Sequence, residues 1–147
     1  MLLPLQYTQP TTAAYVESYT SVSSRPDILT MPFYSQFSDI TSPTWQKVGC
    51  GITSLAMIID YYEPNAVNVD TLLAQGITAG AYQKNAGWSH AGLIALSKKY
   101  GLTGYAQYLT SLSADAAFAQ LQGFVSDGPV IASVHYKMDA KNPIPHM

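Results

Sequence analysis

This chain is short of charge. Only 11% of its 147 residues are Asp, Glu, Lys or Arg, against roughly 25% in an ordinary soluble domain. With a net charge of -2 and no basic run, it offers neither a face for nucleic acid nor a polybasic segment for anionic lipid. It has one cysteine, Cys50, so no internal disulfide can form, and this count leaves the redox compartment open. No run approaches the roughly 18 apolar residues of a membrane span, so membrane insertion is not expected. The N-terminus MLLPLQYTQPTT has no positive n-region, and Pro4 and Gln6 cut its apolar run, so it does not read as a signal peptide. Three scattered histidines, one cysteine and no clustered carboxylates supply no metal-ligand set, and no cofactor motif is present.

What the chain has is apolar and uncharged polar residues in a length suited to one domain with a single core. Residues 1–29 are rich in Ser, Thr and Tyr without a sustained period, which predicts an extended arm or linker ahead of a domain over 30–147. ILTMPFYSQF at 28–37 carries β-branched and aromatic residues around Pro32 and predicts a short edge strand running into a loop. From Cys50 to Tyr62 the apolar residues fall in steps of three and four, with Pro64 beyond as a stop, predicting a buried helix with Cys50 in its first turn. A short helix is expected over 70–75 with Gly76 as its end, then a loop over 76–87. Two further helices follow, one capped by Ser89 and closed by Gly101, the other over 113–127 and capped by Ser113. TGYAQYLT at 103–110 and GPVIASVHYK at 128–137 read as strands. Helices come first and strands gather late, which implies an α+β fold. The strand over 128–137 has no evident partner before the chain stops, and the sequence reads as one whose C-terminal strands are missing.

Cys50 is the focus of the chemistry. A cysteine at a helix N-terminus meets the positive end of the helix dipole and unpaired backbone N–H groups, which favour thiolate over thiol. The flanking Gly49 and Gly51 would leave the sulfur open. Against this, cysteine is among the most often buried residues and packs as a small hydrophobe, and position alone leaves the choice open. His90, beside the Ser89 cap, reads as a residue serving a helix end or solvent rather than a second base. His135 reads as an exposed or half-buried strand residue. Trp45, Trp88 and Tyr82 fit either a cleft wall or the core.

MPFYSQFSD, GCGITSLAMIIDYY, GWSHAGLIALSKKYGL, GPVIASVHYK and IPHM, in that order and spacing from Met31 to Met147, resemble papain-like cysteine peptidases of the bacteriocin-processing type, in particular a bacterial cell-envelope branch. The resemblance implies a helical lobe with a central nucleophile helix and a C-terminal antiparallel β lobe, with the substrate cleft between them. It implies Cys50 as nucleophile, His146 as general base and Gln36 as oxyanion donor, with Gln46 as a rival for the last role. The family's orienting Asp or Asn follows the histidine, and this chain stops at Met147. Asp139, before His146 across two prolines, is a poor substitute. The expectation is a thiol-dependent hydrolase of peptide bonds with His146 on a fraying terminus, hence an inactive fragment as it stands. The alternative is a non-catalytic envelope binding module that keeps the fold. Relatives of this kind act on peptide or protein substrates and are secreted or attached to the cell wall. The resemblance carries no oligomeric state.

Overall fold

The computed structural model describes residues 1–7, 31–135 and 145–147. Its organising strand is the first element, β1 (Leu2–Tyr7), which lies in the middle of a three-stranded antiparallel sheet between β4 (Leu102–Gly104) and β5 (Val130–Ala132). Leu2, Leu3 and Pro4 oppose Ala132, Ile131 and Val130, whereas Leu5, Gln6 and Tyr7 oppose Gly104, Thr103 and Leu102. The partner changes at Pro4, the residue with no N–H to give a ladder. Leu2, Leu3 and Leu5 are all buried, so both faces of the strand are covered, and β1 touches both α4 (His90–Ser97) and α5 (Ala114–Asp127).

The expected arm is therefore not an arm over residues 2–7. A strand buried on both faces reads as a continuous apolar run and lacks the alternation that announces a half-exposed one. The same strand answers the apparent lack of a partner for the segment after Gly128, because β5 pairs with β1. Residues 8–30 lie outside the described residues. No strand forms over 31–37 either; this stretch is a loop, consistent with Pro32 having no ladder donor.

The helices form as their spacing predicts. α2 (Cys50–Tyr62) buries Ile52, Leu55, Ala56, Ile58 and Ile59, which meet Leu72, Leu93, Leu96, Leu3, Leu5 and Ile131 in one core. α3 (Val69–Thr78) is longer than the expected 70–75: the Asn68 side chain accepts the Thr71 N–H at its start, and Gly76 lies buried inside it rather than ending it. Ser89 and Ser113 cap α4 and α5 by accepting the N–H groups of Gly92 and Ala116. After α4, a 3-10 turn at Lys98–Tyr100 ends on Gly101 in the left-handed region. A short helix, α1 (Pro43–Gln46), precedes α2. Between α3 and α4, where a loop is expected, β2 (Tyr82–Gln83) and β3 (Gly87–Trp88) make a hairpin. β6 (Val134–His135) and β7 (Pro145–His146) form a second two-stranded pair.

Two long side chains tie the sheet and entry loop to α2. The Tyr62 hydroxyl donates to the Leu5 carbonyl at 3.1 Å. The Tyr34 hydroxyl donates a short hydrogen bond to the carboxylate of Asp60, which is 7% exposed and also accepts the Val67 N–H at 3.3 Å. That bond to Asp60, with burial and the repulsion of Asp60 and Asp39 behind it, pushes the Tyr34 phenol up to about 12.

Because β1 is central, truncating Leu3, which is 1% exposed, should cost about 2–5 kcal/mol, the usual range for a buried Leu→Ala change. Urea unfolding of Leu3→Ala measures this. A change within about 0.5 kcal/mol, the level of an unremarkable surface site, would mean that residues 2–7 are a dispensable arm.

Candidate functional site

A cleft of about 950 Å³ opens at the N-terminal end of α2 and is lined by Cys50, Gln36 and His146. These residues come from three separated parts of the chain. Cys50 is the first residue of α2 and is half-buried with a free thiol. The first-turn N–H groups of a helix have no partner inside it. α3, α4 and α5 each use a side chain to cap this end, but α2 starts at Gly49 with no side-chain cap. The Gly49 carbonyl accepts the Ile52 and Thr53 N–H groups at 3.0 Å, and no side chain stands over the Cys50 end of the helix as a cap.

The turn holding Cys50 is held by packing. The Trp88 indole N–H donates to the Val48 carbonyl at 2.7 Å. A Cβ on Gly51 would come within 3.0 Å of the Trp88 side chain, and one on Gly76 within 2.8 Å. The indole therefore lies against α2 and α3 where each has shed its side chain. Gly49 is equally crowded, by Ile40 and Gln36. The glycines around Cys50 allow the close approach of neighbouring groups, a requirement the sequence alone does not announce. Trp45 and Tyr82 complete an aromatic cluster with Trp88, with ring centroids 4.9 Å apart for Trp45–Tyr82 and 5.3 Å for Tyr82–Trp88. Trp88 and Tyr82 are both core and cleft wall, so the choice posed by the sequence was not exclusive.

Gln36 stands on a turn fastened by Asp39. The Asp39 carboxylate accepts the Ser35 N–H at 2.7 Å and the Ser38 hydroxyl at 2.9 Å, and the Asp39 N–H donates to the Ser35 carbonyl at 2.8 Å. Gln46, the rival, donates its side-chain amide to the Ile40 carbonyl at 2.8 Å and is not part of the cleft wall. Its amide braces the segment leading from Gln36 to α1.

His146 is exposed and lies on β7 opposite Val134. The terminus was expected to fray; instead β6 holds the histidine, and β6 follows directly on β5, which pairs with β1. Met147 packs beside it against the core. Asp139 lies outside the described residues, as does the side chain of His135.

The hairpin of β2 and β3, missed by sequence reasoning, brings Tyr82, Asn85, Ala86, Gly87 and Trp88 to the cleft. Its signal was present: two aromatic residues flank the short Gly-containing stretch QKNAG, a pattern for a longer hairpin loop. Asn85 and Gly87 take positive φ, 68° and 82°, as their residue types allow.

His90 is not a solvent residue. It is half-buried, its Nε2 is enclosed without a hydrogen-bond partner among the described residues, and it is not part of the cleft wall. Burial first, and the Met1 ammonium second, hold its pKa below the ordinary 6.5. Among the described residues, no group of three His, Cys, Asp or Glu side chains could hold a metal ion, and no helix is long and apolar enough to cross a membrane.

A histidine whose folded pKa is lowered binds its proton more readily when unfolded. Its neutral state costs the fold nothing above about 6.5, and stability falls as pH drops below that value and through the lowered folded pKa. His90→Gln should flatten the decline in unfolding free energy as pH falls below about 6.5. A decline of the same slope in both proteins would assign it to other groups.

No curated protein and no solved structure gives a significant match to this chain. Residues 28–147 match the Peptidase_C39 like family, a span that takes in the loop with Gln36, the helix headed by Cys50 and the strand bearing His146. The chain belongs to the Peptidase_C39 like family.

Proposed function

We propose that the protein hydrolyses peptide bonds with Cys50 as nucleophile, His146 as general base and Gln36 as oxyanion donor. One observation carries the reading: these three residues, from a turn, a helix start and a strand far apart in sequence, line the same cleft, at the one long helix among those described whose N-terminus no side chain caps. Membership of the Peptidase_C39 like family supports it.

The chemistry follows from the residue types. The imidazole of His146 takes the proton from the Cys50 sulfur, and the thiolate attacks the carbonyl carbon of the scissile bond. As the C=O bond becomes a single bond, the charge on oxygen is met by the Cys50 N–H and the Gln36 amide. His146 returns its proton to the departing amine, leaving a thioester on Cys50. Water, deprotonated by the same imidazole, then attacks the thioester and frees the acid product and the thiol. The aromatic walls lower the local dielectric, which strengthens each of these interactions.

Gln36 and Gln46 separate the catalytic reading from a structural one. Gln36→Ala should lower kcat by about 10²–10³ at nearly unchanged KM, the cost of losing one oxyanion donor. Gln46→Ala should leave kcat within a few-fold and instead lower stability by about 1–3 kcal/mol, for a carbonyl left unpaired. Steady-state kinetics on a panel of blocked peptides, with Cys50→Ala as the blank, decides. Peptide binding without Cys50-dependent turnover would mark the protein as a binding module that keeps the fold.

A further inference from the structure

The cleft is uneven in charge. Its walls include Phe33, Phe37, Met57, Tyr82, Trp88 and Met147, yet among the described residues they contain no Asp or Glu. One lysine stands among them. Lys47, exposed at the C-terminal end of α1 and three positions before Cys50, lines the same cleft as Cys50.

The acids of the flanking segments lie outside the cleft wall and bond to neutral groups, although the repulsion of Asp60 and Asp39 reaches Tyr34 in that wall. Asp39 accepts from Ser35 and Ser38, and Asp70 accepts the Thr41 N–H at 3.0 Å and the Thr41 hydroxyl. Neither belongs to the cleft wall. An ammonium in a cleft whose described wall holds aromatic residues and no carboxylate attracts an anionic group on whatever lies over those walls.

We propose that Lys47 makes the cleft selective for peptides that carry a carboxylate near the scissile bond, an inference that rests on the peptide-hydrolase reading. The carboxylate is either an acidic side chain or the free C-terminus of a short peptide, since both present the same group to the ammonium. Lys47 contacts substrate and takes no part in bond cleavage, so its loss should raise KM for carboxylate-bearing peptides and leave kcat unchanged.

The first arm of the test needs no turnover. Cys50 is the only thiol, so its alkylation can be followed by intact mass with iodoacetate, which bears a carboxylate, and with neutral iodoacetamide. The ratio of the two rates should fall about threefold in Lys47→Gln, within the range for one exposed charge pair. It should fall further in Lys47→Glu and recover in Lys47→Arg. The difference between the native protein and Lys47→Gln should close near 1 M salt, where the screening length is about 3 Å.

In the second arm, kcat/KM is compared for three peptides of one sequence: Glu with a blocked C-terminus, Gln with a free C-terminus, and Gln with a blocked C-terminus. A loss in Lys47→Gln confined to the first assigns the acidic side chain, and one confined to the second assigns the terminal carboxylate. Carboxylate selectivity that is equal in the native protein and Lys47→Gln, or absent from both, overturns the inference while leaving the hydrolase reading intact. Failure of Cys50 to react with either reagent in the folded protein removes the hydrolase reading and this inference with it.

Discussion

The site depends on the indole of Trp88. It fills the space against Gly51 of α2 and Gly76 of α3 and donates its N–H to the Val48 carbonyl, so one side chain packs against two helices and ties down the turn entering Cys50. A cysteine at a helix start is useful only if that start is stationary relative to its partners. Catalytic geometry has to hold reacting atoms to about 3–3.5 Å, and interiors packed to crystal-like density are what hold it. The hairpin carrying Trp88 also supplies part of the cleft wall, so the element packed against the turn at Cys50 helps shape the space beside it.

The part of the cleft wall that carries His146 depends on a different constraint, the placing of the N-terminal strand. β1 lies between β4 and β5 with its leucines buried. β5 runs into β6, and β6 pairs with the strand bearing His146. The position of a residue at the end of the chain thus traces back to the first residues of the chain. Pairing of such sequence-distant segments pays its loop-closure entropy before any contact rewards it, which places the joining of β1 to β5 among the costly steps of folding.

The helices were legible because their signals are local. The steps of three and four from Ile52 to Ile59, and the Ser89 and Ser113 caps, are written within a few residues of where they act. What was illegible depends on distant partners. Leu2, Leu3 and Leu5 look like the start of a loose tail until Ile131 and Leu102 are placed beside them. Gly76 looks like a helix stop until Trp88 is laid against it, at which point its missing side chain is a packing requirement. The candidate site shows the same division. Cys50, Gln36 and His146 could be named from resemblance, but what sets Gln36 apart from Gln46 was not legible, since it is that Gln36 lines the cleft while Gln46 gives its amide to the Ile40 carbonyl. Lys47 carried no motif and acquires meaning only from the uncharged walls around it.

The central claim is that Cys50, Gln36 and His146 act on one reacting carbonyl. A crystal structure with a peptide aldehyde tests it most directly, because the aldehyde carbon can bond to a nucleophilic sulfur and hold its oxygen where the oxyanion would form. The account predicts a covalent bond from the Cys50 sulfur, with the new oxygen or the sulfur within about 3.2 Å of the His146 imidazole and the oxygen equally close to the Gln36 amide and the Cys50 N–H, the usual hydrogen-bond reach. An aldehyde bound without a bond to Cys50, or bonded with Gln36 and His146 both turned away from it, would contradict the account.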